Sequence, residues 1–241
     1  MSKYATIGIL GGMGPESTAE LYRQIIQLYQ LEKGAVNDAD FPAILINSLP
    51  AEDMLNNLEQ RKPTITKQLT EAVRVLENAG ADFIAVPCNT ATIFMDKVRA
   101  KVSIPIIDLL DITAQSIVAD GYKKVGILAS TSTIKSSLYE KTLAQYGVST
   151  LSPDDANQPQ VNDCIINILA GRKELKDKTL LEKLAVDLTG QGAEAVVLGC
   201  TELPLLIQAI PEVRLVNTIS VLARKTFTMA NQLQSGKEKI S

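Results

Sequence analysis

Short apolar runs alternate along the chain with longer stretches in which apolar residues recur at every third or fourth position. The runs are rich in β-branched residues and predict strands at residues 6–10, 43–46, 83–86, 104–107 and 124–128. The longer stretches predict helices at residues 16–32, 64–79 and 220–234. Strands that are apolar throughout and separated by helices are typical of parallel βαβ units, in which helices cover both faces of the sheet. The pattern therefore predicts an α/β fold.

The second half of the chain repeats the pattern of the first. Residues 124–128 resemble residues 6–10, and residues 192–201 resemble residues 80–89. In both copies of the second pair a cysteine stands eight positions after a glycine. Similar runs occur in unrelated α/β units, but cysteines in matching positions favour an internal duplication.

The duplication predicts two pseudo-symmetric lobes, each a parallel sheet flanked by helices. We expect the first lobe to span residues 1–110 and the second to span residues 111–211. The helix at 220–234 is expected to pack back on the first lobe. Because no Gly/Ser-rich linker separates the lobes, we expect a close interface with the active site in a cleft between them.

The composition is that of a globular protein and argues against several functions. The chain has 241 residues, 46% of them hydrophobic, and a net charge of −3, which argues against a general nucleic-acid binder. No apolar stretch approaches the roughly 18 residues that span a bilayer, and the N-terminal segment lacks the pattern of a signal peptide. Three cysteines, an odd number, favour free thiols in a reducing compartment. We therefore expect a cytoplasmic protein without nucleic-acid or membrane partners.

Histidine is absent from the sequence, and this absence restricts the chemistry most. It excludes Ser-His-Asp and Cys-His catalysis, and it excludes zinc sites that contain histidine. Acid–base chemistry must therefore use Cys, Lys, Tyr, Asp or Glu side chains.

Cys88 and Cys200 each follow a predicted buried strand and precede a polar segment that begins a helix. Ligands of open parallel sheets bind at the carboxyl ends of the strands, and backbone N–H groups at a helix start stabilise a thiolate. We therefore expect both thiols to have a pKa lowered toward neutrality and to face each other across the cleft. Two opposed thiols suit inversion of a stereocentre, because a thiolate removes the α-proton from one face while a thiol returns a proton to the other.

Other roles for the cysteines are open but weaker. A single cysteine at a strand end is commonly an apolar filler, and we assign that role to Cys164, which has no counterpart in the other lobe. A redox disulfide is an alternative for the matched pair, although the sequence has no Cys-x-x-Cys. A metal site is weaker still, since two thiols without histidine lack the usual four ligands.

A glycine-rich turn, Gly11-Gly12-Met13-Gly14-Pro15, follows the first predicted strand. It has neither the GxGxxG order of a dinucleotide-binding loop nor the lysine of a P-loop. We interpret it as a tight strand-to-helix turn that brings backbone N–H groups close to the cleft.

Three segments of the chain form a recognisable set, residues 11–15, residues 87–91 (Pro-Cys-Asn-Thr-Ala) and residues 198–204 (Leu-Gly-Cys-Thr-Glu-Leu-Pro). Together they resemble the aspartate/glutamate racemase family, most closely its cofactor-independent aspartate racemase branch. The resemblance extends over essentially the whole chain. It implies an amino-acid racemase, first of all an aspartate racemase, that works without pyridoxal phosphate or metal and forms a homodimer. It also implies Cys88 and Cys200 as the two catalytic bases.

The resemblance further implies substrate contacts at six positions. These are Met13, Asn89, Thr90, Ser130, Thr133 and Thr201. Asn89, Thr90 and Thr201 would bind the α-carboxylate or the amine, and Met13 would line the site. For Ser130 and Thr133, capping of the following helix is an equal alternative.

The sequence departs from the family pattern where the substrate side chain is recognised. Met54 and Leu169 stand where relatives often carry a cation, and Thr92 stands where many relatives have histidine. The nearest guanidinium groups in the sequence belong to Arg61 and Arg172. Since a distal carboxylate normally needs a cationic partner, glutamate or a broader range of amino acids is an alternative to aspartate.

Two further functions stay open at this point. One is another isomerase or lyase of the same superfamily that acts on a related carboxylate. The other is a catalytically idle ligand-binding protein that retains the fold, although the presence of both cysteines counts against it.

Overall fold

The protein has two parallel β-sheets with helices packed against them. The computed structural model describes residues 3–55 and 58–238. Within these residues the strands are β1 (Ile7–Gly11), β2 (Ile44–Ser48), β3 (Phe83–Ala85), β4 (Lys124–Leu128), β5 (Ser149–Leu151), β6 (Ala195–Leu198) and β7 (Leu215–Asn217). The α-helices are α1 (Pro15–Lys33), α2 (Leu58–Asn78), α3 (Met95–Arg99), α4 (Leu109–Ala119), α5 (Thr131–Lys135), α6 (Leu138–Gln145), α7 (Gln158–Leu169), α8 (Leu175–Gly190) and α9 (Thr218–Glu238).

The two sheets share one strand order, as the internal duplication predicts. The first sheet runs β2-β1-β3 and the second runs β5-β4-β6-β7, with every pairing parallel. Gly8 of β1 pairs with Ile84 of β3, and the corresponding Gly126 of β4 pairs with Val196 of β6. Equivalent residues therefore occupy the same register in both sheets, which confirms the predicted α/β architecture.

The prediction of a full strand at residues 104–107 is wrong, because the segment pairs over a shorter length than expected. The segment makes a single parallel bridge between Ile84 and Ile106, in which Ile84 N–H donates to the Pro105 carbonyl at 2.8 Å and Ile107 N–H donates to the Ile84 carbonyl at 2.9 Å. Pro105 has no backbone N–H to continue the ladder. The equivalent segment of the second sheet lacks a proline and forms the full strand β7.

The C-terminal helix α9 packs on α1 at the first sheet. It begins at Thr218, slightly before the predicted start at residue 220. Tyr29 of α1 lies between Tyr4 and Phe227 of α9, with edge-to-face ring centroids 4.7 and 4.9 Å apart. Aromatic pairs in this geometry stabilise the contact beyond the apolar area that they bury.

Helix α4 contributes to the cores of both halves of the molecule. Leu109 and Ile112 belong to the cluster that contains Tyr29, while Leu110 and Ala114 belong to the cluster beneath the second sheet. The lobe boundary near residue 110 therefore stays a prediction, because the connecting helix serves both sides. No helix within residues 3–55 and 58–238 is both long and apolar enough to cross a membrane.

Candidate active site

A cavity of about 190 Å³ lies where the loops after β1, β2, β3 and β6 meet the end of α7. We call it the thiol cavity because Cys88 and Cys200 both line it. Its walls are residues 12–15, 51–55, 88–90 and 200–202, together with Ile165 and Leu169. Of the predicted substrate contacts, Met13, Asn89, Thr90 and Thr201 lie in these walls.

The glycine turn makes the strand-to-helix connection that its sequence predicts, and α1 begins at Pro15. Gly12 has a φ of +88°, and a Cβ atom there would lie 2.4 Å from the Leu49 carbonyl oxygen. A Cβ atom on Gly14 would lie 2.6 Å from Leu169 Cδ2 and 3.0 Å from Glu202 Oε1. Glycine is therefore needed at position 12, where the backbone of residue 49 leaves no room for a side chain, and Gly14 lets Leu169 and Glu202 approach the turn closely.

Glu202 is the acidic group nearest to Cys200. The carboxylate is 4% exposed, and its Oε2 accepts a hydrogen bond from Cys200 Sγ at 3.0 Å. Its Oε1 accepts hydrogen bonds from Gly14 N–H at 3.1 Å and from Ser17 Oγ at 2.8 Å. All of these donors are neutral, so hydrogen bonds rather than a countercharge stabilise the buried carboxylate.

Thr201 completes the surroundings of this carboxylate. Its Oγ1 donates to the Pro87 carbonyl at 3.1 Å and lies 3.3 Å from Glu202 Oε2. The hydroxyl therefore links the loop that carries Cys200 to the residue before Cys88.

The thiol pKa values differ from the sequence-based expectation. Burial raises the pKa of the Cys88 thiol from the ordinary value of 9.0 to about 12, and the charge of Glu202 adds to the rise. Backbone N–H groups of Ala91 and Thr90 oppose that rise without cancelling it. The expected lowering is wrong because the helical turns after the cysteines are short 3₁₀ segments, while both thiols are only 7% exposed.

The pKa of Cys200 is also raised well above its ordinary value. Burial is the largest cause, and the charge of Glu202 and the hydrogen bond to its carboxylate follow. The charge of Cys88 raises the pKa of Cys200 further, so the two thiols influence each other electrostatically. Burial and the charge of Glu202 therefore both favour the protonated form of the two thiols.

The Asn89 side chain is held at both of its polar ends. Tyr139 OH donates to Asn89 Oδ1 at 2.5 Å, and Asn89 Nδ2 donates to Thr218 Oγ1 at 3.1 Å. Thr218 Oγ1 in turn donates to the Leu198 carbonyl at 3.0 Å. This chain of bonds fixes the residue beside Cys88 against the second sheet.

Ser130 and Thr133 lie behind Thr90 instead of in the cavity wall. Thr90 Oγ1 lies 3.1 Å from Ser130 Oγ and 3.0 Å from Thr133 Oγ1, and those two hydroxyls are 3.0 Å apart. Ser130 Oγ also accepts from Thr133 N–H at 3.3 Å, which is the helix cap weighed as the alternative for these residues. Their contact with a ligand would therefore pass through Thr90.

The positions where the sequence departs from the family pattern separate into two groups. Met54 and Leu169 line the thiol cavity, as the alignment of motifs predicts for side-chain recognition. Thr92 instead closes the turn after Cys88, because its Oγ1 donates to the Asn89 carbonyl at 2.6 Å.

Cys164 is buried in the core under the second sheet, where its Sγ lies 3.9 Å from the Asp177 carbonyl.

Sequence reasoning missed the roles of Glu202 and Tyr139. Glu202 stands inside a motif that the sequence shows plainly, but its contacts with the glycine turn join residues 188 positions apart. Tyr139 lies on α6 with no nearby motif, and its bond to Asn89 spans 50 positions. Within the described residues, no group of three or more His, Cys, Asp or Glu side chains is arranged to hold a metal ion.

Comparison with known proteins identifies the family to which the chain is similar. The family model described as Asp/Glu/Hydantoin racemase matches residues 10–226. The broad specificity amino-acid racemase RacX of Bacillus subtilis (strain 168) is 30% identical over 234 residues, which cover 95% of this chain and 100% of that protein.

Solved structures with the same fold include two whose names refer to aspartate racemase. An aspartate racemase homologue from Pyrococcus horikoshii OT3 superposes with a TM-score of 0.77 and 30% identity, covering 95% of this chain and 99% of that one. The Picrophilus torridus aspartate racemase has a TM-score of 0.79 and 23% identity, covering 94% of each chain, and supports the fold alone.

Proposed function

The chain belongs to the Asp/Glu/hydantoin racemase family, and on that premise we propose that it racemises free amino acids by two-thiol proton transfer. Cys88 and Cys200 are the two acid–base groups. The thiolate of one removes the α-proton, and the thiol of the other donates its proton to the opposite face of the carbon. Each turnover thus moves the thiolate from one cysteine to the other, and the reverse reaction exchanges the roles.

The observation that supports this mechanism best is that both buried thiols line one cavity from two different sheets. An inverting proton transfer needs an acid and a base on opposite faces of the carbon, which two equivalent strand ends can supply. Burial also keeps water away from the carbanion-like transition state, which has no pyridoxal ring to delocalise its charge.

Glu202 binds the α-ammonium group of the substrate in this proposal. The buried carboxylate lies within hydrogen-bonding distance of Cys200 and has neutral donors around it. An ammonium ion is the countercharge that would stabilise it most. Its arrival would also offset the negative charge that raises the pKa of both thiols, so substrate binding favours formation of the reactive thiolate.

The α-carboxylate is bound on the side of Cys88, where Thr90 offers a hydroxyl in the cavity wall. Thr201 and Met13 also line the cavity. Asn89, Ser130 and Thr133 act as positioning residues, because their polar groups are already bonded to other side chains. Hydrogen-bond donors held in place in this way stabilise the developing negative charge without reorganisation.

The family resemblance favours aspartate as the substrate, but Met54 and Leu169 line the cavity where relatives often carry a cation, so other amino acids are the alternative. The likeness to an aspartate racemase homologue supports aspartate, whereas the likeness to a broad-specificity racemase supports a wider range. By the same resemblance we propose a homodimer that uses no cofactor and no metal, and the odd number of cysteines favours a cytoplasmic location.

Incubation of the protein with single L-amino acids in deuterated water tests the reaction. We expect loss of the α-proton signal in NMR spectra together with formation of the D-enantiomer, measured by chiral chromatography, without any added cofactor. Absence of exchange with every amino acid would exclude the racemase. Cleavage products without a D-enantiomer would instead indicate a lyase of the same superfamily.

A further inference from the structure

One wall of the thiol cavity carries no acid–base group and is built from apolar side chains. The loop after β2 contributes Ala51, Met54 and Leu55, and α7 contributes Ile165 and Leu169. Leu169 reaches across to the glycine turn, since a Cβ atom on Gly14 would lie 2.6 Å from its Cδ2. This wall therefore closes the cavity between the two halves of the chain.

The charged residues that line the cavity are all acidic. They are Glu52, Asp53 and Glu202, and none of the lining residues, all within the described part of the chain, is lysine or arginine. Arg61 forms ion pairs with two of these carboxylates, and its Nη1 lies 3.6 Å from Glu52 Oε2 and 3.9 Å from Asp53 Oδ2. That guanidinium already faces two carboxylates.

The basic residues that follow α7 also have partners away from the cavity. Arg172 Nη2 donates to Asn167 Oδ1 at 2.8 Å, and Lys173 Nζ pairs with Glu16 Oε2 at 2.8 Å. A carboxylate on the substrate side chain would therefore meet apolar groups and like charges, and it would leave water without a cationic partner.

We infer that this wall, with Met54 and Leu169 as the specificity-determining residues, selects amino acids with apolar side chains and disfavours aspartate and glutamate. The inference rests on the racemase function proposed above and replaces aspartate, which the family resemblance favours, with apolar amino acids as the substrate class. An apolar side chain gains by leaving water for this wall, whereas a second carboxylate loses its hydration without compensation. A cationic side chain would share Glu52 and Asp53 with Arg61, whose guanidinium would repel it.

Steady-state racemisation of L-methionine, L-leucine, L-lysine, L-aspartate and L-glutamate tests the inference. We expect kcat/KM for methionine or leucine to exceed that for the two acidic amino acids on the order of 100-fold, as for a charge left without a partner. A higher kcat/KM for aspartate, glutamate or lysine than for both apolar substrates overturns it. No racemisation of any of the five would instead count against the racemase function itself.

Two variants test whether the residues of this wall determine the substrate preference. Leu169→Lys and Met54→Arg each place a cation at the cavity, and each should raise the ratio of kcat/KM for aspartate to that for methionine about tenfold or more. Leu175→Lys is the matched control, because Leu175 is 77% exposed on α8 and lies outside the cavity. An unchanged ratio in both cavity variants, with folding verified by circular dichroism, overturns the assignment of these residues.

Discussion

The two cysteine loops occupy equivalent places in two similar sheets, yet their electrostatic surroundings differ. Cys88 is followed by Asn89 and Thr90, whose side chains bond to neutral hydroxyl groups. At the same offset from Cys200 as Thr90 has from Cys88 stands Glu202, whose carboxylate accepts a hydrogen bond from the thiol itself. The duplication thus reproduces the backbone and the thiols, while a charge occurs on one side only.

This difference separates two requirements of the proposed reaction. Proton transfer to either face of a carbon needs two similar groups, which the duplicated loops provide. Binding of a zwitterion needs unlike groups at its two ends, for which we propose Glu202 at the ammonium and the hydroxyl of Thr90 at the carboxylate. We therefore expect the thiols to be equally necessary, and the residues that follow them to differ in effect.

Loss of either thiol should have the largest effect. Cys88→Ser and Cys200→Ser should each lower kcat for racemisation on the order of 1000-fold or more, because acid–base groups contribute effects of this size. Chiral chromatography of the product mixture measures the loss. Cys164→Ala is the matched control, since Cys164 lies in the core outside the thiol cavity and should retain activity.

A loss of activity in only one of the two variants would contradict the expectation that both thiols are equally necessary. One thiol would then suffice, and the other would be an apolar filler.

Neutralising the carboxylate should have the next largest effect and should distinguish the loops. Glu202→Gln should lower kcat/KM on the order of 100-fold, because the ammonium group loses its countercharge. The same change removes a cause of the raised pKa of Cys200, so iodoacetamide should alkylate Cys200 faster than in the unsubstituted protein. Peptide mass spectrometry measures alkylation at each cysteine separately.

Glu16→Gln provides the control for this variant, because Glu16 is an exposed carboxylate paired with Lys173. An unchanged alkylation rate at Cys200 in Glu202→Gln would contradict the electrostatic role of the carboxylate.

The raised thiol pKa values predict that the rate of thiol alkylation depends steeply on pH. Alkylation of Cys88 should accelerate about tenfold per pH unit from about pH 7 to 10, because only the thiolate reacts and its fraction grows in this proportion below the pKa. The pKa of Cys88 also affects stability. Because this pKa is about 12 in the folded protein and about 9.0 in the unfolded chain, the folded protein keeps the thiol proton up to a higher pH than the unfolded chain does. The free energy of unfolding should therefore be unaffected by this group below about pH 9 and fall as the pH rises toward 12. A plateau in alkylation rate at neutral pH would contradict the assigned direction.

The hydroxyls behind Thr90 should have the smallest effect. Ser130→Ala removes a helix cap and one member of the hydroxyl group, and it should lower the free energy of unfolding by about 1 kcal/mol. Because Ser130 lies behind Thr90, KM should change by no more than about threefold, less than one direct hydrogen bond is worth. Thermal denaturation and steady-state kinetics measure the two effects, and a KM increase on the order of 100-fold would instead place Ser130 in contact with substrate.

The sequence predicts the architecture well where local pattern decides it. β4 coincides with the predicted residues 124–128, and the matched spacing of Gly80 to Cys88 and Gly192 to Cys200 places both thiols at one cavity. These features depend on apolar runs and on duplication, both of which are visible along the chain.

The features that the sequence does not predict depend on contacts between distant segments. The direction of the thiol pKa shifts follows first from burial, which local spacing does not reveal, and then from the charge of Glu202. The bond from Tyr139 to Asn89 joins two halves of the chain. Residues 104–107 have a strand-like composition, but Pro105 limits their pairing to one bridge.

Exchange of the α-proton in the single-cysteine variants tests the two-thiol mechanism most directly. Cys88→Ser and Cys200→Ser are each incubated with the separate L and D enantiomers of one amino acid in deuterated water, and deuterium at the α-carbon is followed by NMR. Since each variant retains one base, we predict that one variant exchanges only the L enantiomer and the other exchanges only the D enantiomer, with no net inversion in either. Full racemisation by either variant, or exchange of the same enantiomer by both, would contradict proton transfer between Cys88 and Cys200.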